Sequence, residues 1–254
     1  LPVRVGEKNK KVRLLILGDS LARGVGCLDA SPVLPSTVAK VLSLALNADV
    51  EWRAEGLIGG TVSDIHTKYL PIISEELTAQ EADPESNTEI VIVIICGVND
   101  WKTMLTEFPH GSGPHSFRAH LQALISDIKR RAGNRPVKVV LPALPLMCGE
   151  GDPNCVLQRA PLKYFVSAVC SFWDLQKKYV AEEAMTDKLC RIQYIGVPDL
   201  SMSFATPGEG NVCPDGVHPS SQGYLWWAHH IAQAIIQQTQ IESVDASAGP
   251  RSSL

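Results

Sequence analysis

The stretch Leu14-Leu15-Ile16-Leu17-Gly18-Asp19-Ser20-Leu21-Ala22-Arg23-Gly24 breaks an apolar run at a glycine and adds at once an acid and a serine. The pattern predicts a buried strand that delivers Ser20 to a sharp turn opening a helix. In open α/β sheets, ligands bind outside the carboxyl ends of the parallel strands. Taken alone, Gly-Asp-Ser reads better as an ordinary helix N-cap, because both side chains can accept from the first free N–H groups. What Ser20 does therefore depends on the partners the rest of the chain brings to it.

Outward from that stretch, strands and helices alternate. A strand over 12–17 leads through the turn to a helix over 35–46, with Val38, Leu42 and Ala45 on one face. A second strand over 50–54 ends in Glu55-Gly56-Leu57-Ile58-Gly59-Gly60-Thr61. Thr61 caps a helix to residue 77, with Asp64 in the capping-box position. The third strand, 90–96, is apolar throughout, as expected when both faces are covered. It ends in a second glycine turn, Gly97-Val98-Asn99-Asp100, with Asp100 as a cap for the next segment. A helix over 115–132 repeats Phe117, Leu121, Leu124, Ile125 and Ile128 at helical spacing and stops at Gly133. After a fourth strand over 137–141, the segment 142–160 exceeds the usual connection of ~2–6 residues and is a candidate lid or wall. Pro161 opens a long helix with Leu162, Phe165, Val166, Val169, Phe172 and Trp173 facing inward. A fifth strand over 192–197 precedes a last helix over 220–238, which carries Leu225, Ala228, Ile231, Ala232 and Ile235. Residues 1–241 read as one domain, and the small polar residues 242–254 as a disordered tail. Five such alternations imply an α/β architecture with a parallel sheet covered by helices on both faces.

Bulk properties exclude several classes. Of 254 residues, 45% are hydrophobic and 20% charged, the balance of a soluble globular protein. A net charge of -4 provides no electrostatic footprint for nucleic acid. No apolar run reaches the ~18 residues needed to cross a bilayer. The chain begins at Leu1 rather than Met, which fits processing of an exported or organellar precursor and leaves the compartment open. The cysteine count of 7 is odd. Cys148 and Cys155 flank a polar loop and could close a disulfide in an oxidising compartment. No Cys/His spacing suggests zinc, so no metal is expected.

The polar strand ends converge. Ser20, Gly59 and Asn99 come directly after strands one, two and three, and parallel strands share one carboxyl edge. Ahead of the last helix, Pro214-Asp215-Gly216-Val217-His218-Pro219 places an acid and a histidine three apart in a turn. There the carboxylate can hold the imidazole tautomer while the other ring nitrogen takes a serine proton. Pro-Asp-Gly is equally strong turn chemistry by itself. The remaining histidines, His66, His110, His115, His120, His229 and His230, have no acid in a comparable sequence arrangement.

Gly18-Asp19-Ser20-Leu21, Gly59, Gly97-Val98-Asn99-Asp100 and Asp215-Gly216-Val217-His218-Pro219 resemble, in order, the four sequence blocks of the SGNH (GDSL) hydrolases. The resemblance implies a flavodoxin-like three-layer α/β/α sandwich with a five-stranded parallel sheet of order 2-1-3-4-5. It implies hydrolysis of carboxylic esters through a serine acyl-enzyme, with no cofactor and no metal. Acyl transfer and thioester hydrolysis by the same triad are the neighbouring activities. Carried over by block, Ser20 matches the nucleophile, His218 the general base and acid, and Asp215 the residue that orients His218. The oxyanion hole would be the N–H groups of Ser20 and Gly59 with the Asn99 side-chain amide, Gly60 being the alternative to Gly59. Asp19 is expected to be structural, bonded to nearby backbone N–H groups.

Trp101, Met104, Leu144, Leu146 and Met147 could line an acyl pocket or belong to the core. With no charged cluster for a phosphate or sugar acid, the expected substrate is a small-molecule or lipid ester with a short- to medium-chain acyl group. The contrasting reading is a non-catalytic flavodoxin-like module holding phosphate at the Ser20 helix N-terminus. It would leave Asp215 and His218 without a role, and the glycine-rich phosphate motifs are missing.

Overall fold

Within the first strand, β1 (Lys10–Gly18), Leu14 and Ile16 join one hydrophobic cluster while Leu15 and Leu17 join another. All four are buried, so both faces of the strand are covered. That is why the run is apolar without alternation. The computed structural model describes residues 10–27, 32–81, 88–106, 113–145, 161–184, 189–197, 213 and 218–247. The remaining strands are β2 (Ala48–Gly56), β3 (Thr88–Ile95), β4 (Val137–Pro142) and β5 (Cys190–Ile195). They form one sheet of order β2-β1-β3-β4-β5, and every pairing is parallel. The order changes direction between β1 and β3, so the crevice at the switch point opens beyond Gly18 and Ile95.

The helices are α1 (Ser20–Arg23), α2 (Val33–Leu46), α3 (Val62–Glu81), α4 (Val98–Thr106), α5 (Pro114–Ala132), α6 (Leu162–Glu183) and α7 (Ser221–Ser247). On one face of the sheet, Val38 and Leu42 of α2 pack with Trp227, Ile231 and Ile235 of α7 over Val12, Leu14, Ile16, Val91 and Val93. On the other, α3 supplies Ile65, Tyr69 and Ile73 and α5 supplies Phe117, Leu121 and Leu124, over Leu15, Leu17, Ile92 and Ile94. The three-layer α/β/α arrangement and the strand order are those implied by the family resemblance.

Several expectations are corrected. The 98–106 stretch is a helix, not only a turn. In α6 the buried stripe runs through Val166, Cys170, Trp173, Lys177, Val180 and Ala181, whereas Phe165 and Phe172 are 56% and 55% exposed. Phe165 and Phe172 therefore lie about a third of a turn away from the face that packs. α7 continues to Ser247, past the helix end expected at residue 238, because extending a helix already nucleated costs little even for small polar residues.

Candidate active site

β1 can end beside β3 only because residue 18 is glycine: a Cβ there would lie 2.2 Å from the Ile95 carbonyl oxygen. The next residue, Asp19, donates its N–H to that same oxygen at 3.2 Å. Asp19 then caps α1, its Oδ1 accepting the Leu21 N–H at 2.9 Å, and Ser20 sits at the head of the helix with 6% exposure. α1 is a single turn, closed by Gly24 in the left-handed region at φ 80°. The cap geometry expected for Gly-Asp-Ser is present, and Asp19 supplies it.

The exit of β2 presses against this turn. A Cβ on Gly56 would meet the Arg23 nitrogen at 2.4 Å, and the Leu57 N–H donates to Gly18 O at 2.9 Å. Gly59 is exposed with φ 76° and open space where a side chain would be. Thr61 and Asp64 form the expected capping box, with the Thr61 N–H donating to Asp64 Oδ2 at 2.9 Å.

Beyond β3, Gly97 turns at φ 116° into α4. Asn99 is 9% exposed, and its Nδ2 donates to Gly60 O at 3.1 Å. An amide nitrogen has two hydrogens, so one donor remains for another acceptor. Asp100 accepts the Val62 N–H at 3.1 and 3.2 Å, capping α3 rather than its own segment. The second and third sequence blocks are thus joined by one hydrogen bond that Asn99 donates and by the Val62 N–H that Asp100 accepts, which fix Asn99 relative to the Gly59–Gly60 turn.

His218 Nε2 lies 2.9 Å from Ser20 Oγ, across 198 residues of sequence. The backbone around His218 rests on the segment after α1. A Cβ on Gly26 would fall 2.6 Å from Pro219 O and 2.8 Å from Cys213 Sγ. Tyr224 of α7 donates its hydroxyl to Val25 O at 2.9 Å, and the Cys213 N–H donates to His218 O at 2.8 Å. Asp215, Leu146, Met147, Cys148 and Cys155 lie outside the described residues.

The electrostatics of this edge are unusual. Burial pushes the Asp19 carboxyl up to about 7, against its bond from Leu21 and the pull of Lys177. Its Oδ2 has no hydrogen-bond partner among the described residues. Burial likewise raises Asp100 to about 6, against the Val62 N–H. Near neutral pH Asp19 is therefore partly protonated, which limits negative charge beside Ser20. A hydroxyl facing an imidazole can pass its proton to it, and donors at strand and helix ends can hold an oxygen that becomes negative. Among the described residues no group of three or more His, Cys, Asp or Glu could hold a metal ion.

Of the residues left open between pocket and core, Leu144 is 2% exposed and belongs to the core. Trp101 is partly buried and packs against both hydrophobic clusters, and Met104 packs against one. His66 has an acid partner that is distant in sequence, Asp127 Oδ2 at 2.9 Å between α3 and α5. Sequence reasoning also missed Lys177 and Asp174, a buried ion pair on α6 directly behind the β3 and β4 ends. Their only sequence signal is two charges on an otherwise apolar helix face.

Solved structures share this fold. A GDSL-like lipase from Parabacteroides merdae is 20% identical, with a TM-score of 0.57 and coverage of 88% of this chain and 94% of its own. The lipase Lip_vut3 from a goat rumen metagenome is 17% identical, with a TM-score of 0.57 and coverage of 88% and 97%. A carbohydrate esterase family 3 protein from Talaromyces cellulolyticus is 16% identical, with a TM-score of 0.55 and coverage of 90% and 98%. Comparison with curated proteins finds no match. The family described as GDSL-like Lipase/Acylhydrolase matches residues 16–226, most of the chain and all of the edge that carries Ser20 and His218, and the chain belongs to this family of carboxylic ester hydrolases.

Proposed function

We propose that the protein hydrolyses carboxylic esters through an acyl-enzyme on Ser20, with short- to medium-chain acyl groups as substrates. The observation that carries this reading is the 2.9 Å approach of His218 Nε2 to Ser20 Oγ at the head of α1. Serine is a poor nucleophile at its own pKa, so it needs a base that titrates near working pH, and histidine is that base. As Oγ attacks the ester carbonyl, its proton passes to Nε2 and the carbonyl oxygen becomes negative. The N–H groups of Ser20 and Gly59 and the free hydrogen of the Asn99 amide stabilise that oxygen. The C–O bond to the alcohol then breaks, and His218 returns the proton to the leaving alkoxide. Water repeats the sequence on the acyl-enzyme, giving its proton to His218, and the acid leaves as Ser20 regains its hydroxyl proton. Asp215, three residues before His218 in the sequence, orients the imidazole, as the family block implies.

Exposed apolar side chains support an acyl rather than a charged substrate: Ile58, next to Gly59, is 65% exposed, and Leu105 of α4 is 48% exposed. A panel of p-nitrophenyl esters of increasing chain length, with a fluorophosphonate probe, tests the proposal. Ser20→Ala and His218→Ala should each lower kcat by on the order of 10³-fold or more, and Ser20→Ala should abolish labelling. Asp215→Ala should lose less, because water can partly orient the ring. Near-parental turnover in Ser20→Ala, or labelling elsewhere, would move the nucleophile to another residue.

A further inference from the structure

Lys177 is 0% exposed, on a helix face that is apolar apart from this lysine and Asp174. A buried ammonium is costly unless it is both paired and hydrogen-bonded, so its contacts are informative. Nζ donates to Pro142 O at 2.9 Å and to Asp174 Oδ1 at 3.0 Å. Asp174 in turn accepts the Leu144 N–H on both oxygens at 3.2 Å. The pair thereby grips two backbone groups at the carboxyl end of β4. The stem of the same lysine passes behind β3: its Cε is 3.8 Å from the place of a Cβ on Gly97. The Gly97 carbonyl accepts the Trp101 N–H at 3.2 Å and so closes the first turn of α4, which carries Asn99. One side chain is bonded to the exit of β4 and runs alongside Gly97, where the turn that leads to Asn99 begins.

Lys177 is also the buried counter-charge of this region. Desolvation by itself would lower its pKa, but the charge and hydrogen bond of Asp174 hold the ammonium form above its ordinary value. Its field draws the Asp19 and Asp100 carboxyls down against the burial that raises them.

We propose that Lys177 is a positioning residue for ester hydrolysis: by tying α6 to the ends of β3 and β4, it holds the Gly97–Asn99 turn so that the Asn99 amide is presented at Ser20. The proposal rests on the roles assigned to Ser20 and Asn99 above. Lys177→Met alone would strand Asp174 as an unpaired buried charge, so the test exchanges both residues, Lys177→Met with Asp174→Asn. This keeps an acceptor for Leu144, and neutral replacement of a buried ion pair is often tolerated. With p-nitrophenyl acetate, kcat should fall roughly 10-fold or more while KM changes less than about 2-fold. The thermal midpoint should stay near that of the parent. In an Asn99→Ala background the same exchange should cost less than about 2-fold further, because the donor it positions is gone. Parental kcat in the folded variant overturns the proposal. Full multiplication of the two losses does so as well. So does failure of the exchanged pair to fold, which would assign Lys177 to stability alone. Ser20→Ala is assayed in parallel: retained turnover there defeats the reading of Ser20, and Lys177 with it, whereas loss of turnover leaves the Lys177 result to be judged alone.

Discussion

Asp19 immediately precedes Ser20 and is 0% exposed, with one carboxylate oxygen bonded to Leu21 and the other without a partner among the described residues. Burial moves its carboxyl from the ordinary 3.8 to about 7. Between those values the folded protein holds a proton that the unfolded chain has released, so stability declines as pH rises through the window. Above pH 7 the full penalty applies, on the order of 4 kcal/mol from this group. Asp19→Asn keeps an oxygen for the Leu21 N–H and removes the titration. The variant should gain stability over the parent as pH rises from 5 to 8, followed by thermal midpoints at both values. A gap between variant and parent that is the same at the two pH values would show that Asp19 does not titrate there. The placement of Ser20, Gly59, Asn99 and His218 was legible because each is a polar residue or glycine at a predicted strand or helix end. The His66–Asp127 contact was not, since its partners are 61 residues apart on helices whose docking the sequence does not display. Lys177 was hidden for a different reason: a lysine in a helix reads as a solvated face, and its burial depends on a carbonyl 35 residues away.

At the scale of elements, α4 was the least legible. Gly97-Val98-Asn99-Asp100 carries turn residues, and local propensity alone would end the segment there. It becomes helical because its polar residues have tertiary partners: Asn99 reaches Gly60, and Asp100 reaches Val62 at the start of α3. The cap of one helix thus comes from the first turn of another, which links the second and third strand exits. Asp100→Ala leaves the buried Val62 N–H without an acceptor and should destabilise by about 2 kcal/mol. Asp100→Asn, which retains one acceptor, should lose less. Urea denaturation compares the two; equal losses would locate the effect in the charge instead of the cap. α6 failed to read correctly for a related reason. Two of its large apolar residues, Phe165 and Phe172, are exposed, while an ion pair shares the packed side with Val166, Trp173 and Val180. Hydrophobic periodicity has no means of placing a buried charge on the inner face.

Across the whole molecule, alternation of strands and helices was enough for a parallel sheet with two helical layers, while the strand order came from the family resemblance and the register only from the structure. The two hydrophobic clusters are not independent, because both are built on the same strands. Ile92 and Val93 are adjacent in β3 and both 0% exposed, yet they belong to opposite clusters. Neither helical layer can leave without exposing one face of β1 and β3, so the sheet should couple the layers into one unfolding step even at a length where intermediates are common. Ile92→Ala and Val93→Ala should each destabilise by about 2 to 4 kcal/mol. Lacking shared side-chain partners, their effects should add to within roughly 0.5 kcal/mol. Urea titrations followed by tryptophan fluorescence and by far-ultraviolet circular dichroism should coincide for the parent and both variants, since Trp173 reports from one cluster and Trp227 from the other. Separation of the two curves in either variant would mean that the layers unfold one at a time, and that the edge carrying Ser20 and Asn99 can be opened from one face while the other stays closed.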